Sequence, residues 1–232
     1  MIGDRWPAWC GALAGVAVVL VLGIAGARQM VARSDKMPVG ELQVSGQLTG
    51  SSLICQTFVT RYPGLSQIRV RVATFGRQNT GALTAHLRAT PQDAQDLLTW
   101  TLDAAAVQDN ALQAFDLVPA ISEEGRTLAF CLAMPDGTPG NAIGVWGARQ
   151  DAYERGAAVL EGMPDSGIRD LVFELEYKFP LTRAFSVLAG RLAETKPAWW
   201  GEAWFYWVLG AAYLVLLGLM FHSVLKGGKL RS

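Results

Sequence analysis

The chain has 232 residues, 51% of them hydrophobic and 17% charged, and its 20 Lys+Arg balance 20 Asp+Glu. High apolar content without net charge excludes an intrinsically disordered chain, and the lack of a basic excess excludes bulk electrostatic capture of nucleic acid. Charge is also scarce for a soluble domain of this size, and the apolar residues concentrate at the two ends.

Residues 1–8 read as a short cytoplasmic tail. No charged residue occurs between positions 6 and 27, and positions 11–27 read GALAGVAVVLVLGIAGA. A hydrocarbon core of about 30 Å takes roughly 20 apolar helical residues, so residues 9–27 are expected to form a first transmembrane helix. The rival is a cleaved signal peptide, because Ala25-Gly26-Ala27 resembles a signal-peptidase site, although the apolar run is long for a signal. Gly11 and Gly15 form a GxxxG, a spacing that lets helix backbones approach closely in lipid; the alternative is that the two helices of this chain pack on each other. Cys10 lies in the same run without the neighbours of a lipobox.

Residues 28–40 read as a linker and 41–180 as one domain. Apolar residues there recur at period two, the mark of a strand with one buried face. In 67–75, Ile68, Val70, Val72 and Phe75 alternate with Arg69 and Arg71; in 170–178, Leu171, Phe173, Leu175 and Tyr177 lie opposite Glu174 and Glu176. Similar runs cover 42–47, 53–60, 82–88, 98–103, 112–117, 127–134 and 142–148. Turn chemistry such as Pro63-Gly64, Asn79-Thr80-Gly81 and Asp136-Gly137 separates them. Many short strands at this spacing predict an antiparallel β-sandwich or jelly roll.

Catalytic chemistry is sparse. His86 sits between Ala85 and Leu87 on a predicted strand and reads as a surface or packing residue. A zinc site or a Ser-His-Asp site would have to be built around it with little support. Glu174 and Glu176 share one strand face, whereas a glycosidase needs carboxylates opposed across a cleft. Asp165 and Asp170 have oxygen ligands suited to calcium, as do most loop carboxylates. No catalytic residue, metal ligand or cofactor is assigned, and the chain is read as a non-enzyme. Cys55 and Cys131 both fall on predicted strands; outside the cytoplasm they are a candidate disulfide, with two buried thiols as the alternative.

Gln56-Thr57-Phe58, then Gly64, Leu65 and Ile68, and at the far end Asp170, Leu171 and Phe173 resemble the galactose-binding-like jelly rolls of bacterial extracytoplasmic proteins over residues 45–178. The resemblance leaves the apolar ends uncovered. It implies a fold shared by sugar binders, attachment domains and scaffolds, and so no single function.

Residues 181–198 are expected to form an amphipathic helix. Leu181, Phe185, Leu188 and Leu192 fall on one stripe while Arg183, Arg191 and Glu194 point elsewhere. It lies on the membrane or on the domain, or it is an ordinary packing helix. Residues 203–225 hold no Lys, Arg, Asp or Glu and are read as a second transmembrane helix. Trp199, Trp200, Trp204, Tyr206 and Trp207 are its interface anchors. Gly218 is a helix-packing position one turn before His222, and a small residue there gives a flat pigment or haem access to the imidazole; an interfacial histidine is the commoner outcome. Lys226, Lys229 and Arg231 in the tail 226–232 mark the cytoplasmic side. Arg28, Arg33 and Lys36 argue the reverse, but two spans put both termini on one side and long loops translocate largely regardless of charge. The expected location is the bacterial inner membrane, with the main domain periplasmic.

The expected function is a non-catalytic accessory or scaffold subunit of an inner-membrane complex, such as a photosynthetic reaction-centre/light-harvesting or respiratory assembly. Its partners would be lipids and other integral membrane subunits, and no nucleic acid. The alternative is a membrane-anchored carbohydrate-binding module in envelope polysaccharide assembly, with glycan stacking on Trp100, Trp146, Tyr153 or Tyr62.

Overall fold

The computed structural model describes residues 21, 24–25, 30–36, 41–164 and 166–228. The first apolar run, with Cys10, Gly11 and Gly15, lies outside the described residues apart from Val21, Ile24 and Ala25, which are helical. Asp165, the tail 1–8 and the last four residues lie outside them too. The chain divides into a unit of residues 32–178 and a second unit that takes the residues from Phe179 onward.

The first unit is a β-sandwich. Its strands are β1 (Met30–Lys36), β2 (Leu42–Val44), β3 (Leu53–Val59), β4 (Leu65–Ala73), β5 (Ala82–Arg88), β6 (Leu98–Asp103), β7 (Leu112–Ile121), β8 (Thr127–Ala133), β9 (Gly144–Ala148), β10 (Ala158–Glu161), β11 (Asp170–Leu171) and β12 (Phe173–Pro180). One sheet runs β1-β12-β4-β9-β11, with β2 also on β9 and β7 also on β4; the other runs β10-β3-β8-β5-β6. The ladders of both sheets are antiparallel.

Period-two alternation sends every second residue to the interior. Ile54, Phe58, Leu83, Leu87, Leu128, Phe130 and Leu132 of the five-stranded sheet meet Ile68, Val70, Val72, Phe115, Leu175 and Tyr177 of the other, all buried. Each such side chain contributes about 1.5–3 kcal/mol on leaving water. The rings of Phe115 and Phe130 lie 5.0 Å apart between the sheets, and Trp100 stacks on both. The Trp100 Nε1–H donates to the Asp116 carbonyl at 2.9 Å, tying β6 to β7.

Cys55 and Cys131 stand directly opposite each other in the β3–β8 register and are joined as a disulfide with Cα atoms 3.9 Å apart. By strand parity the bond lies on the sheet face turned away from the core. There it is fully buried with Ala129 under Leu53 and Val159.

Several elements differ from the sequence expectation. Residues 28–40 are not only a linker, since they include β1, whose polar sequence MVARSDK hides an edge strand. The segment AVLE of β10 carries no alternation to betray it. Phe75 does not continue the buried row of β4: it lies beyond the strand end, 41% exposed at a φ of +59°. β7 runs on to Ile121 through Pro119, which is tolerated because β7 pairs only with β4 and needs no second row of N–H donors. Gly64 adopts a φ of +80°, and a Cβ there would stand 2.2 Å from the Lys178 carbonyl, so the turn into β4 requires glycine.

The second unit contains α1 (Leu181–Ala193), a 3-10 turn at Ala198–Gly201 and α2 (Ala203–Gly228). The expected helix over 181–198 thus stops at Ala193. Helix α1 packs on the first turns of α2: the Phe185 ring meets Trp207 at 4.4 Å, and the Tyr206 hydroxyl donates to the Leu192 carbonyl at 3.2 Å. Helix α2 is long and apolar enough to cross a membrane, and none of its Ala203–Met220 stretch is buried.

The disulfide closes a separation of 76 residues. Replacing both cysteines by alanine is expected to lower the unfolding free energy by about 4 kcal/mol through the loop-closure entropy regained by the unfolded chain. Urea melts of the full chain in detergent check this; an unchanged midpoint would contradict a stabilising role.

Candidate functional site

A charge held out of water is either a structural tie or a site. Asp170, at the start of β11, is fully buried. One carboxylate oxygen accepts from Gln56 Nε2 at 3.1 Å, and the other accepts the backbone N–H groups of Ala152 and Tyr153 at 2.9 and 3.0 Å. Gln56 in turn accepts the Leu171 N–H at 2.7 Å. Both oxygens therefore receive N–H donors, and the calcium reading of Asp170 has no geometry behind it. The pair bolts β3 of one sheet to β11 of the other and holds the 151–153 loop.

His86 stands on the outward face of β5, its Nδ1 2.7 Å from Asp96 Oδ2. Arg88 Nε donates to Asp96 Oδ1 at 2.6 Å and the Thr99 hydroxyl donates to Oδ2 at 3.2 Å. Partial burial opposes ionisation of Asp96, but the bonds from Arg88 and His86 outweigh it and hold the carboxyl below the ordinary aspartate range. A His–Asp pair is half of a nucleophilic relay. The residues opposite His86 in register are Cys131, consumed by the disulfide, and Thr99, whose hydroxyl is turned to Asp96. Among the described residues no group of three His, Cys, Asp or Glu side chains could hold a metal ion.

Glu174 and Glu176 face outward beside Arg69, which contacts Glu176 at 2.6 Å and Glu174 at 3.8 Å. Lys36 and Lys178 add further pairs at 3.3 and 3.6 Å. These ion pairs lie on the outer sheet face, with the Glu174 and Glu176 side chains only 14% and 17% exposed.

The four candidate sugar-stacking rings are engaged in different ways. Tyr62 is buried, edge-on to Tyr177 at 5.4 Å. Tyr153 packs edge-on to Phe173 at 5.2 Å and its hydroxyl donates to the Val59 carbonyl; burial pushes that hydroxyl above the ordinary tyrosine value. Trp100 belongs to the inter-sheet aromatic cluster. Trp146 is half-exposed, with its Nε1–H donating to Asn110 Oδ1 at 2.7 Å and the Arg71 guanidinium 5.2 Å from its ring.

Around Trp146 the structure assembles a patch that pattern reading missed. Phe75 and Asn110 both adopt left-handed φ values, +59° and +56°, a conformation non-glycine residues keep only when their surroundings impose it. Between them the Asp109 carboxylate accepts the Thr74 N–H at 2.6 Å. The Thr74 bond is the main reason that the Asp109 carboxyl sits below the ordinary aspartate value. Gly144 on β9 gives the Phe75 ring room, since a Cβ there would stand 2.9 Å from its Cζ. Arg77 lies 4.9 Å from the Phe75 ring. Leu112, cross-strand from Arg71, is also exposed. Among the described residues neither Arg71 nor Arg77 has a carboxylate partner. The one sequence signal was the break in alternation at Phe75.

In the second unit, Trp199, Trp200, Trp204 and Trp207 are exposed, and Trp199 and Trp200 cluster on Phe205 at 4.8 and 5.3 Å. Among the described residues, a Cβ at Gly218 would meet no atom within 4 Å. The side chain of His222 lies outside the described residues.

A scan against protein-family models and a search of curated proteins found no match. Among solved structures, a family two carbohydrate esterase from Cellvibrio japonicus aligns at 10% identity with a TM-score of 0.24, over 65% of this chain and 34% of that one. The chain spans about a third of that protein's length, and similarity at this level carries no argument about fold or activity.

Two outcomes follow from these contacts. Asp170→Ala leaves Gln56 and two amides without partners and is expected to cost about 2–5 kcal/mol in denaturant melts. Asp96 and Asp109 titrate lower folded than unfolded. Their stabilising contribution is present above the ordinary aspartate value of 3.8 and is lost as pH falls through the lower folded values. Asp96→Asn with Asp109→Asn should flatten the acid limb of the stability–pH curve; an unchanged limb would contradict the assignment.

Proposed function

We propose that this chain is a non-catalytic, membrane-anchored scaffold subunit of a bacterial inner-membrane complex, its β-sandwich held on the periplasmic side. The observation that carries the reading is α2. A helix that is apolar on every side and buried on none would cost much more in water than in lipid, which requires no polar face. The tryptophans at its start suit the headgroup level, where ring and N–H are both satisfied.

The sandwich supports a scaffold role in a different way. Its polar clusters are tied internally: Asp170 to Gln56, Asp96 to His86 and Arg88, and Glu174 and Glu176 to Arg69. What it turns outward is the patch of Phe75, Arg77, Arg71, Trp146 and Leu112. Aromatic rings bearing guanidinium groups without carboxylate partners have the chemistry of protein–protein hot spots, and the complement is an acidic segment of a neighbouring subunit. The second reading, a carbohydrate-binding module, rests on the half-exposed Trp146 beside Arg71; glycan binding to the full chain that is lost in Trp146→Ala would favour it.

The membrane reading is tested by alkaline carbonate extraction and by protease treatment of intact spheroplasts. The chain is expected to stay in the pellet and to lose its 41–180 region to external protease. Release into the supernatant, or protection of that region, would overturn it. For the complex, mild-detergent purification should yield a particle larger than one chain that shrinks in Arg71→Glu with Arg77→Glu; a solitary 25.0 kDa protein contradicts the scaffold role.

A further inference from the structure

We infer that α1 lies in the plane of the membrane interface beside α2, with Leu181, Leu188 and Leu192 inserted among the acyl chains. This rests on the reading of α2 as a spanning helix and adds to it a second, lateral contact with lipid.

The sequence stripe of Leu181, Phe185, Leu188 and Leu192 would be the packing face of an ordinary amphipathic helix. The structure uses another face. Ala189 and Ala193 are buried, at 1% and 5% exposure, while Leu181, Leu188 and Leu192 stand 41%, 53% and 47% exposed. Phe185, at the edge of the stripe, reaches across to Trp207 and Gly210.

At 100° per residue the alanine row lies about 90° around the helix from the leucine row. Arg183 and Glu194 lie on the far side, about 140–160° from the leucine row, and Arg191 lies about 80° from it on the flank opposite the alanines. A helix lying flat in the interface beside a spanning helix needs that arrangement: a small-residue side against the neighbour, an apolar side a quarter-turn away toward the hydrocarbon, and charges toward water.

Depth agrees with direction. The residues of α2 that α1 meets are Tyr206, Trp207 and Gly210, in its first two turns, at the end that carries the exposed tryptophans. A helix docked there sits at the headgroup boundary, where leucines reach the acyl chains and arginines reach water. Lipid is therefore the occupant of the leucine row, and its apolar surface is continuous with that of α2.

The experiment uses the full chain with Cys10→Ser, reconstituted in phosphatidylcholine vesicles and carrying one nitroxide on Leu188→Cys, Leu192→Cys, Arg183→Cys or Leu216→Cys. Collision with oxygen, which partitions into lipid, is compared with collision with a water-soluble nickel chelate. Oxygen is expected to dominate at positions 188, 192 and 216, and the chelate at 183. Chelate dominance at 188 and 192 with oxygen dominance at 216 overturns the inference and leaves the spanning helix standing. Shielding of 188 and 192 from both reagents also overturns it, because protein then covers the row. Chelate dominance at 216 removes the spanning helix and the inference with it.

Discussion

A carboxylate buried in an apolar sandwich must be surrounded by donors or it unfolds the domain, and the first unit is organised around meeting that demand at Asp170. The donors come from three separated stretches: the Gln56 side chain, the Ala152 and Tyr153 amides, and through Gln56 the Leu171 amide. Apolar residues alone specify that two sheets pack but leave their relative placement loosely determined. The Gln56–Asp170 pair is directional and fixes one point of β3 against one point of β11. Gln56 and Asp170 lie 114 positions apart in the chain and are the two halves of one contact.

Legibility followed the physics of each element. Strands with one buried face were plain, because alternation is what such a face requires; β5 and β6 coincide with their predicted bounds. The edge strands β1 and β10 were invisible, one too polar and the other unalternating, because an edge is specified by its partner more than by its own side chains. The patch at Phe75 was missed for a related reason. Its logic lies in Asp109 reaching back to the Thr74 amide, a tertiary event with no local signature. In α1 the leucine spacing gave the helix, but spacing alone could not say that the alanines would be buried and the leucines exposed.

The two units use opposite solutions to the same problem. In the sandwich, apolar side chains turn inward and polar groups are matched to one another, so the surface keeps paired charges and one aromatic patch. In α1 and α2 many apolar side chains turn outward, and the contact between the helices is made by Phe185 with Trp207 and Gly210 and by Tyr206 with the Leu192 carbonyl.

The strand order also governs when the domain can exist during synthesis. β4 takes neighbours from β7, β9 and β12, while β3 waits for β8 and β10. The Arg69–Glu176 contact joins residues 107 positions apart. Such non-local closure makes folding slow and late. Until the polypeptide has emerged past β12, the central strand keeps an open edge and Asp170 lacks its setting, leaving a half-made chain exposed to wrong pairings with its siblings. The segment that completes the sandwich runs into α1 without a spacer, so the last strand and the first helix after it leave the ribosome together.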